Sequence, residues 1–149
     1  MLPRWHIFWG GILSALIWIL FPNIAWYNLI LLFLASFLID FDHYMCFVWK
    51  KHELSLFKAF KYHDELQRKE REATRRGIRL GKGDFHIFHT LEFHALVFAL
   101  GFIFQQFFYV VAGMAFHSIL DIISLIKEGT MHRREFFLAN WLRRTYKFL

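Results

Sequence analysis

Histidines and carboxylates are concentrated in three short stretches of this 149-residue chain. The densest runs from Phe85 to His94, with three histidines and Glu92, and leads into an apolar run that reaches Phe104. The other two are Asp40-Phe41-Asp42-His43 and His117-Ser118-Ile119-Leu120-Asp121. Imidazole and carboxylate groups without thiolates suit Zn²⁺, Mn²⁺ or Fe²⁺. The residue types therefore predict a site for a divalent metal ion.

The candidate ligands are more numerous than one ion requires. A catalytic zinc ion is typically held by three protein ligands, so the surplus predicts a two-metal site or carboxylates that orient the histidines. We expect one or two ions, with zinc favoured over manganese and iron. The candidate ligands are Asp40, Asp42, His43, His86, His89, His94, His117 and Asp121.

His89 and His94 can share one ion only if a helix begins between them. In a straight helix, five residues turn the second side chain about 140° away from the first. Thr90 is a candidate N-cap, which would place His89 before the helix and His94 in its first turn. His117 and Asp121 are four residues apart, so they share one face of a helix.

Apolar and charged residues are segregated along the chain, which is typical of an integral membrane protein. The chain is 57% hydrophobic and contains 20 Phe and 6 Trp. A helix needs about 20 residues to cross a bilayer. We therefore predict an all-α integral membrane protein with a single membrane domain, residues 1–149. Four transmembrane helices are expected over residues 5–21, 24–42, 87–104 and 107–126.

Lys and Arg residues are confined to the N-terminus, residues 50–84 and the C-terminal tail. Residues 50–84 hold eleven Lys or Arg and six Asp or Glu. The pattern predicts a cytoplasmic segment with a helix lying partly on the membrane surface, then a more solvated charged helix to about Arg76 and a Gly-rich loop. Residues 127–149 mix basic and aromatic side chains, which predicts an interfacial helix. The two short turns between spans carry no Lys or Arg. We therefore expect a multi-pass protein of the inner or plasma membrane with both termini cytoplasmic.

The net charge of +6 raises the question of a nucleic-acid partner. Because the basic residues adjoin apolar runs, anionic lipid explains them more simply, and membrane lipids are the expected partners. Cys46 is the only cysteine, so an intrachain disulfide and a cysteine-based zinc site are excluded.

Three motifs occur together in this order: Asp40-Phe41-Asp42-His43, His89-x4-His94 and Gly113-x3-His117-x3-Asp121. In order and spacing they resemble the membrane-bound metal-dependent hydrolases, a family of small bacterial and archaeal inner-membrane proteins. This chain has Ile39, Thr90 and Phe93 where the family pattern has Pro, Arg and Thr. The resemblance implies hydrolytic activity and a metal site formed by Asp40, Asp42, His43, His89, His94, His117 and Asp121.

A metal-dependent hydrolase is the favoured function. The metal would activate water to attack a phosphoester or similar bond of a lipid-like or headgroup-bearing substrate. Glu92 and Asp42 are the candidate general bases. Residues 77–83 lack the Lys-Ser/Thr ending of a phosphate-binding loop. Two alternatives stay open: a non-catalytic metal or proton handler, such as a transport subunit or a sensor, and haem binding by paired histidines.

Overall fold

The computed structural model describes residues 3–146, which are helical apart from turns and loops. No strand occurs among these residues, which confirms the all-helical class. The α-helices are α1 (Pro3–Leu20), α2 (Trp26–Leu38), α3 (Phe41–Lys51), α4 (Leu56–Arg75), α5 (Leu91–Leu100), α6 (Gln106–Lys127) and α7 (Leu138–Tyr146). Two single 3₁₀ turns, Ile87–His89 and Met131–Arg133, precede α5 and α7.

Two helical stretches are long and apolar enough to cross a membrane. They are Trp26–Lys51, which contains α2 and α3, and Gln106–Lys127, which is α6. Helices α1 and α5 are apolar but shorter. Only 28% and 22% of the most apolar windows of the two long stretches are buried within the protein. Most of their apolar surface therefore faces outward, unlike the surface of a core helix in a soluble protein.

Helix α5 is shorter than the span expected over residues 87–104. Thr90 begins it as an N-cap, because its side-chain oxygen accepts a hydrogen bond from the N–H of Phe93 at 3.3 Å. The helix ends at Leu100, and turns follow it. At ~1.5 Å per residue, its ten residues extend about 15 Å, half the thickness of a bilayer core.

A turn at Ile39 and Asp40 separates α2 from α3. The N–H of Asp40 donates to the carbonyl of Phe37 at 3.2 Å, a tighter pattern than the α-helical bond to Ser36. The expected end of the second span at residue 42 therefore lies inside α3, which continues to Lys51. The carbonyl of Ser36 is left to accept a hydrogen bond from another part of the fold.

Glycines allow α1 and α6 to approach α2 closely. A Cβ atom on Gly113 of α6 would lie 2.2 Å from the carbonyl oxygen of Leu32, and one on Gly10 of α1 would lie 2.0 Å from the hydroxyl of Ser36. Leu32 and Ser36 are one helical turn apart, so both approaches meet the same face of α2. The close packing therefore brings the polar residues that lie one helical turn from these glycines to the level of the turn that follows α2.

The helical structure predicted in the basic segment 50–84 is one continuous helix, α4, where the sequence suggested two parts. Ser55 caps its start by accepting from the N–H of Lys58 at 3.4 Å. Gly77 has a φ of +73°, which favours glycine, and no regular structure follows it until Ile87 among the described residues. The Tyr44 hydroxyl donates to the carbonyl of Leu54 at 2.7 Å and holds the start of α4 against α3.

The helix predicted in the C-terminal tail is α7, which begins at Leu138. Residues 128–137 are not α-helical, and residues 147–149 of the expected helix lie outside the described residues. Trp141 of α7 stacks on Phe85, with ring centroids 4.4 Å apart and planes 15° apart. This contact places α7 beside the loop that leads into the 3₁₀ turn Ile87–His89.

Candidate metal centre

Four side chains from three parts of the chain form a cluster that we call the primary cluster. Asp40 comes from the turn after α2, His89 from the 3₁₀ turn before α5, and His117 and Asp121 from one face of α6. Each offers one ligand atom, and these atoms all lie within 4.8 Å of one another. His117 is fully buried, and His89 and Asp121 are almost so. The structure therefore brings together residues from all three predicted stretches.

Hydrogen bonds fix which nitrogen of each imidazole faces the cluster. The Nδ1–H of His117 donates to the carbonyl of Ser36 at 2.9 Å, and the Nδ1–H of His89 donates to Oδ2 of Asp42 at 3.1 Å. Both acceptors can only accept, so in each neutral imidazole the Nε2 atom carries the lone pair. This is the arrangement of metal-binding histidines, whose second nitrogen bonds to a carboxylate or a backbone carbonyl.

When both imidazoles are neutral, four acceptor groups therefore point at one another. The two Nε2 atoms lie 3.1 Å apart, and oxygens of Asp40 and Asp121 lie 3.4 to 3.9 Å from them. Ligand atoms about 2.1 Å from a tetrahedral ion lie about 3.4 Å from each other. The spacing and the set of two nitrogens and two oxygens fit a divalent ion such as zinc, manganese or iron. Oδ2 of Asp40 is buried without a hydrogen-bond partner among the described residues, which also fits a cation site.

A second group lies against the primary cluster and consists of Asp42, His43 and His86. The rings of His43 and His86 stack, with centroids 3.6 Å apart. Nδ1 of His86 and Oδ1 of Asp42 lie 3.6 Å apart, and neither has a hydrogen-bond partner among the described residues. Burial lowers the pKa of His86 to about 4, so its imidazole is neutral at pH 7, the form that binds metal. The second group could hold a second ion.

The two groups are connected through their acidic residues. Asp42 belongs to the second group, yet its Oδ2 orients His89 and accepts the N–H of Phe88 at 3.1 Å. Asp40 belongs to the primary cluster, yet its Oδ1 lies 3.5 Å from Nε2 of His43. Because these acidic residues contact both groups, the two groups together are suited to binding either one ion or two.

Two residues outside the predicted ligand set contact the primary cluster. His6 of α1 is fully buried, its Nε2 lies 3.2 Å from Oδ1 of Asp121, and its ring stacks on His117 at 3.7 Å. Arg134 donates to Oδ2 of Asp121 at 2.9 Å. His6 did carry a signal, since it is the one titratable residue in the first apolar run, where such a group is costly. Arg134 was expected only as one of several cations that could hold a phosphate group, and its contact with Asp121 had no signal in the sequence.

Two predicted site residues lie outside both groups. Thr90 caps α5 as expected, but the helix then directs Nε2 of His94 to the hydroxyl of Ser118 at 3.2 Å, while its Nδ1 bonds to the carbonyl of Thr90. Glu92 accepts the N–H groups of Leu138 and Ala139 at 3.0 and 3.2 Å, at the start of α7. Of the two predicted general bases, only Asp42 lies beside the candidate ligands.

A cavity of about 530 Å³ opens beside both groups. Its polar lining includes Asp40, His43, His86 and Asp121, and its volume is within the usual range for ligand sites. A ligand in the cavity could therefore reach the candidate metal ligands.

Comparison with known proteins identifies no relative of this chain. No protein-family model matches the chain, and neither the curated proteins nor the solved structures provide a match. The functional interpretation therefore rests on this chain's own residues and their geometry.

Proposed function

We propose that this protein is a membrane-embedded, metal-dependent hydrolase with its metal centre at the cytoplasmic face. The primary cluster carries the proposal, because two imidazoles held in the metal-binding tautomer and two carboxylates converge in a buried place. Zinc is the favoured ion, since the atom separations suit tetrahedral coordination. The resemblance of the three sequence motifs to the membrane-bound metal-dependent hydrolases agrees with this proposal.

The membrane setting is part of the proposal. It consists of four passes, through residues 5–21, 24–42, 87–104 and 107–126, with both termini in the cytoplasm. The third pass combines the ten-residue helix α5 with the turns before and after it. Support comes from the outward-facing apolar surface of the two long stretches and from the apolar character of α1 and α5. Lys and Arg are absent from both turns on the opposite side, residues 21–25 and 101–105.

The proposed reaction is hydrolysis of a phosphoester in a lipid-like substrate. A divalent ion bound at the primary cluster would polarise the phosphoryl group and lower the pKa of a water molecule towards neutrality. The chain itself supplies the orientation of His117 through Ser36 and of His89 through Asp42. Asp42 is the candidate proton acceptor, because Oδ1 is buried within the second group without a hydrogen-bond partner among the described residues. Arg134 offsets the negative charge of Asp121 at the cavity wall.

The test combines elemental analysis with a turnover assay on the purified full chain. We expect one or two zinc ions per chain and metal-dependent release of phosphate, or of a phosphorylated product, from phospholipids and phosphodiesters. A chelator should abolish turnover, and added metal should restore it. Bound metal without turnover on a broad substrate panel would contradict hydrolysis and favour a transport subunit or a sensor. A chain without metal would contradict both functions.

A further inference from the structure

One face of α4 forms a wall of the cavity beside the metal centre, and its polarity changes along the helix. The lining positions are 56, 59, 60, 63, 64, 66, 67 and 70, which share one side of the helix. The start of this wall is apolar, with Leu56, Ala59 and Phe60, whereas its end is polar, with Gln67 and Glu70. At ~1.5 Å per residue the wall is about 21 Å long.

The polar half of α4 lies against the metal-binding groups. Nε2–H of His63 donates to the carbonyl of His43 at 3.1 Å. Further along, Glu70 pairs with Arg133 at 2.7 Å, next to the residue that contacts Asp121. Both arginines at this end of the cavity are thus paired with carboxylates, and further carboxylates line it, so an anionic head group would be held there by a divalent ion at the primary cluster.

The apolar part of the cavity is open at the protein surface, where side chains of α2, α3 and α4 line it. Besides Leu56 and Phe60, its apolar lining includes Leu38 and Phe41, on either side of the turn that follows α2. All four side chains line the cavity yet are 50% to 59% exposed. In the proposed membrane setting this opening faces lipid, so a hydrocarbon chain can enter from the side without crossing water.

We infer that the cavity binds a single-chain amphiphile, with a phosphate head at the metal centre and one hydrocarbon chain along the apolar half of α4. This inference rests on the proposed function and names the substrate class of that site. A volume of about 530 Å³ is that of a pocket for one small ligand, and its mixed lining matches such a molecule end to end. Leu38, Phe41, Leu56 and Phe60 are then the residues that determine specificity for the chain.

A non-hydrolysable photoprobe separates chain binding from turnover. The probe is n-dodecylphosphonate with a diazirine in the chain, added to the metal-loaded protein in phosphatidylcholine nanodiscs, with crosslinks located by mass spectrometry. We expect saturable labelling of the peptides that contain Phe41 or Phe60. Unlabelled dodecylphosphonate should compete at least about tenfold better than methylphosphonate, which has the head but no chain to bury.

Two exposed phenylalanines of α4 provide matched variants. Phe60 lines the cavity and is 53% exposed, whereas Phe57 is 78% exposed and does not line it. Phe60→Glu should reduce saturable labelling on the order of tenfold, because a carboxylate in the wall would have to lie against hydrocarbon. Phe57→Glu should leave labelling unchanged. Metal content and circular dichroism of both variants check that the fold is retained.

The outcomes separate this inference from the proposed function. Unsaturable labelling spread over the outward faces of α2 and α6, equal in both variants, would overturn the inference, because the chain would then stay in the bilayer. Hydrolysis of short phosphoesters that is indifferent to chain length and to Phe60→Glu would also overturn it, while the hydrolase would stand. Saturable labelling at Phe60 without hydrolysis of any phosphoester would leave the amphiphile site in place and refute the hydrolase.

Discussion

The imidazole of His117 donates a hydrogen bond from Nδ1 to the backbone carbonyl of Ser36, 2.9 Å away on a neighbouring helix. That carbonyl is accessible because the N–H of Asp40 bonds to Phe37 instead, at the turn where α2 ends. The same turn places the Asp40 carboxylate in the primary cluster. One interruption of a helix thus supplies one candidate ligand and orients another.

The hydrogen bond to Ser36 depends on close packing of α6 against α2. Gly113→Ala should weaken it, because the added Cβ would lie 2.2 Å from the Leu32 carbonyl oxygen, and backbone cannot yield as a side chain does. We expect a loss of about 1–3 kcal/mol in unfolding free energy and weaker metal binding. Gly11→Ala is the control, since its Cβ meets only Phe33 at 3.8 Å. Equal effects of the two substitutions would contradict this account.

The structure distinguishes two histidines that the sequence treats as equivalent. His89→Gln should remove the ion of the primary cluster, which amounts to about one ion per chain, because a four-ligand site loses one of its two nitrogens. His94→Gln should keep full metal content, since Nε2 of His94 bonds to Ser118 and not to the cluster. Elemental analysis of the two purified variants measures the difference. Loss of metal from both would support the His89–His94 pair expected from the sequence.

Asp42 orients a candidate ligand from outside the primary cluster. Asp42→Asn should lower metal affinity by about 10- to 100-fold, because the neutral amide is a weaker partner for the Nδ1–H of His89. Competition with a chromophoric chelator gives the affinity. Glu65→Gln is the control, since Glu65 is exposed on α4, does not line the cavity and belongs to neither group of candidate ligands. An unchanged affinity in Asp42→Asn would remove Asp42 from the metal centre.

The proposed membrane topology makes a prediction about the two short turns. In a Cys46→Ser background, cysteines placed at Asn23 and Gln105 should react with a membrane-impermeant thiol reagent added from outside intact cells. A cysteine at Lys69 on α4 should react only after the cells are opened, because the basic segment is expected in the cytoplasm. Reaction of all three cysteines from the same side of the membrane would contradict the four-pass topology.

Local features of the site could be predicted from the sequence, whereas the full set of residues that form it could not. Spacing alone placed His117 and Asp121 on one face of α6, and Thr90 was recognisable as an N-cap. The contribution of His6 depends on the close approach of α1 to α2 at Gly10, a tertiary contact with no local signature. The turn at Asp40 follows the end of the second apolar run, but it contains neither Pro nor Gly, so no turn signal marked it.

The role predicted for Glu92 from the sequence differs from the role that its contacts in the structure indicate. If Glu92 were the general base, its replacement by Gln would abolish turnover and leave the metal bound. In the structure its carboxylate accepts the N–H groups of Leu138 and Ala139, so it holds the start of α7 through the helix N-terminus. Glu92→Gln should therefore keep both metal and most turnover. The amide has one acceptor oxygen instead of two and no charge, so hydrogen exchange at the first amides of α7 should accelerate several-fold. Lost turnover with unchanged exchange in α7 would instead establish Glu92 as the base.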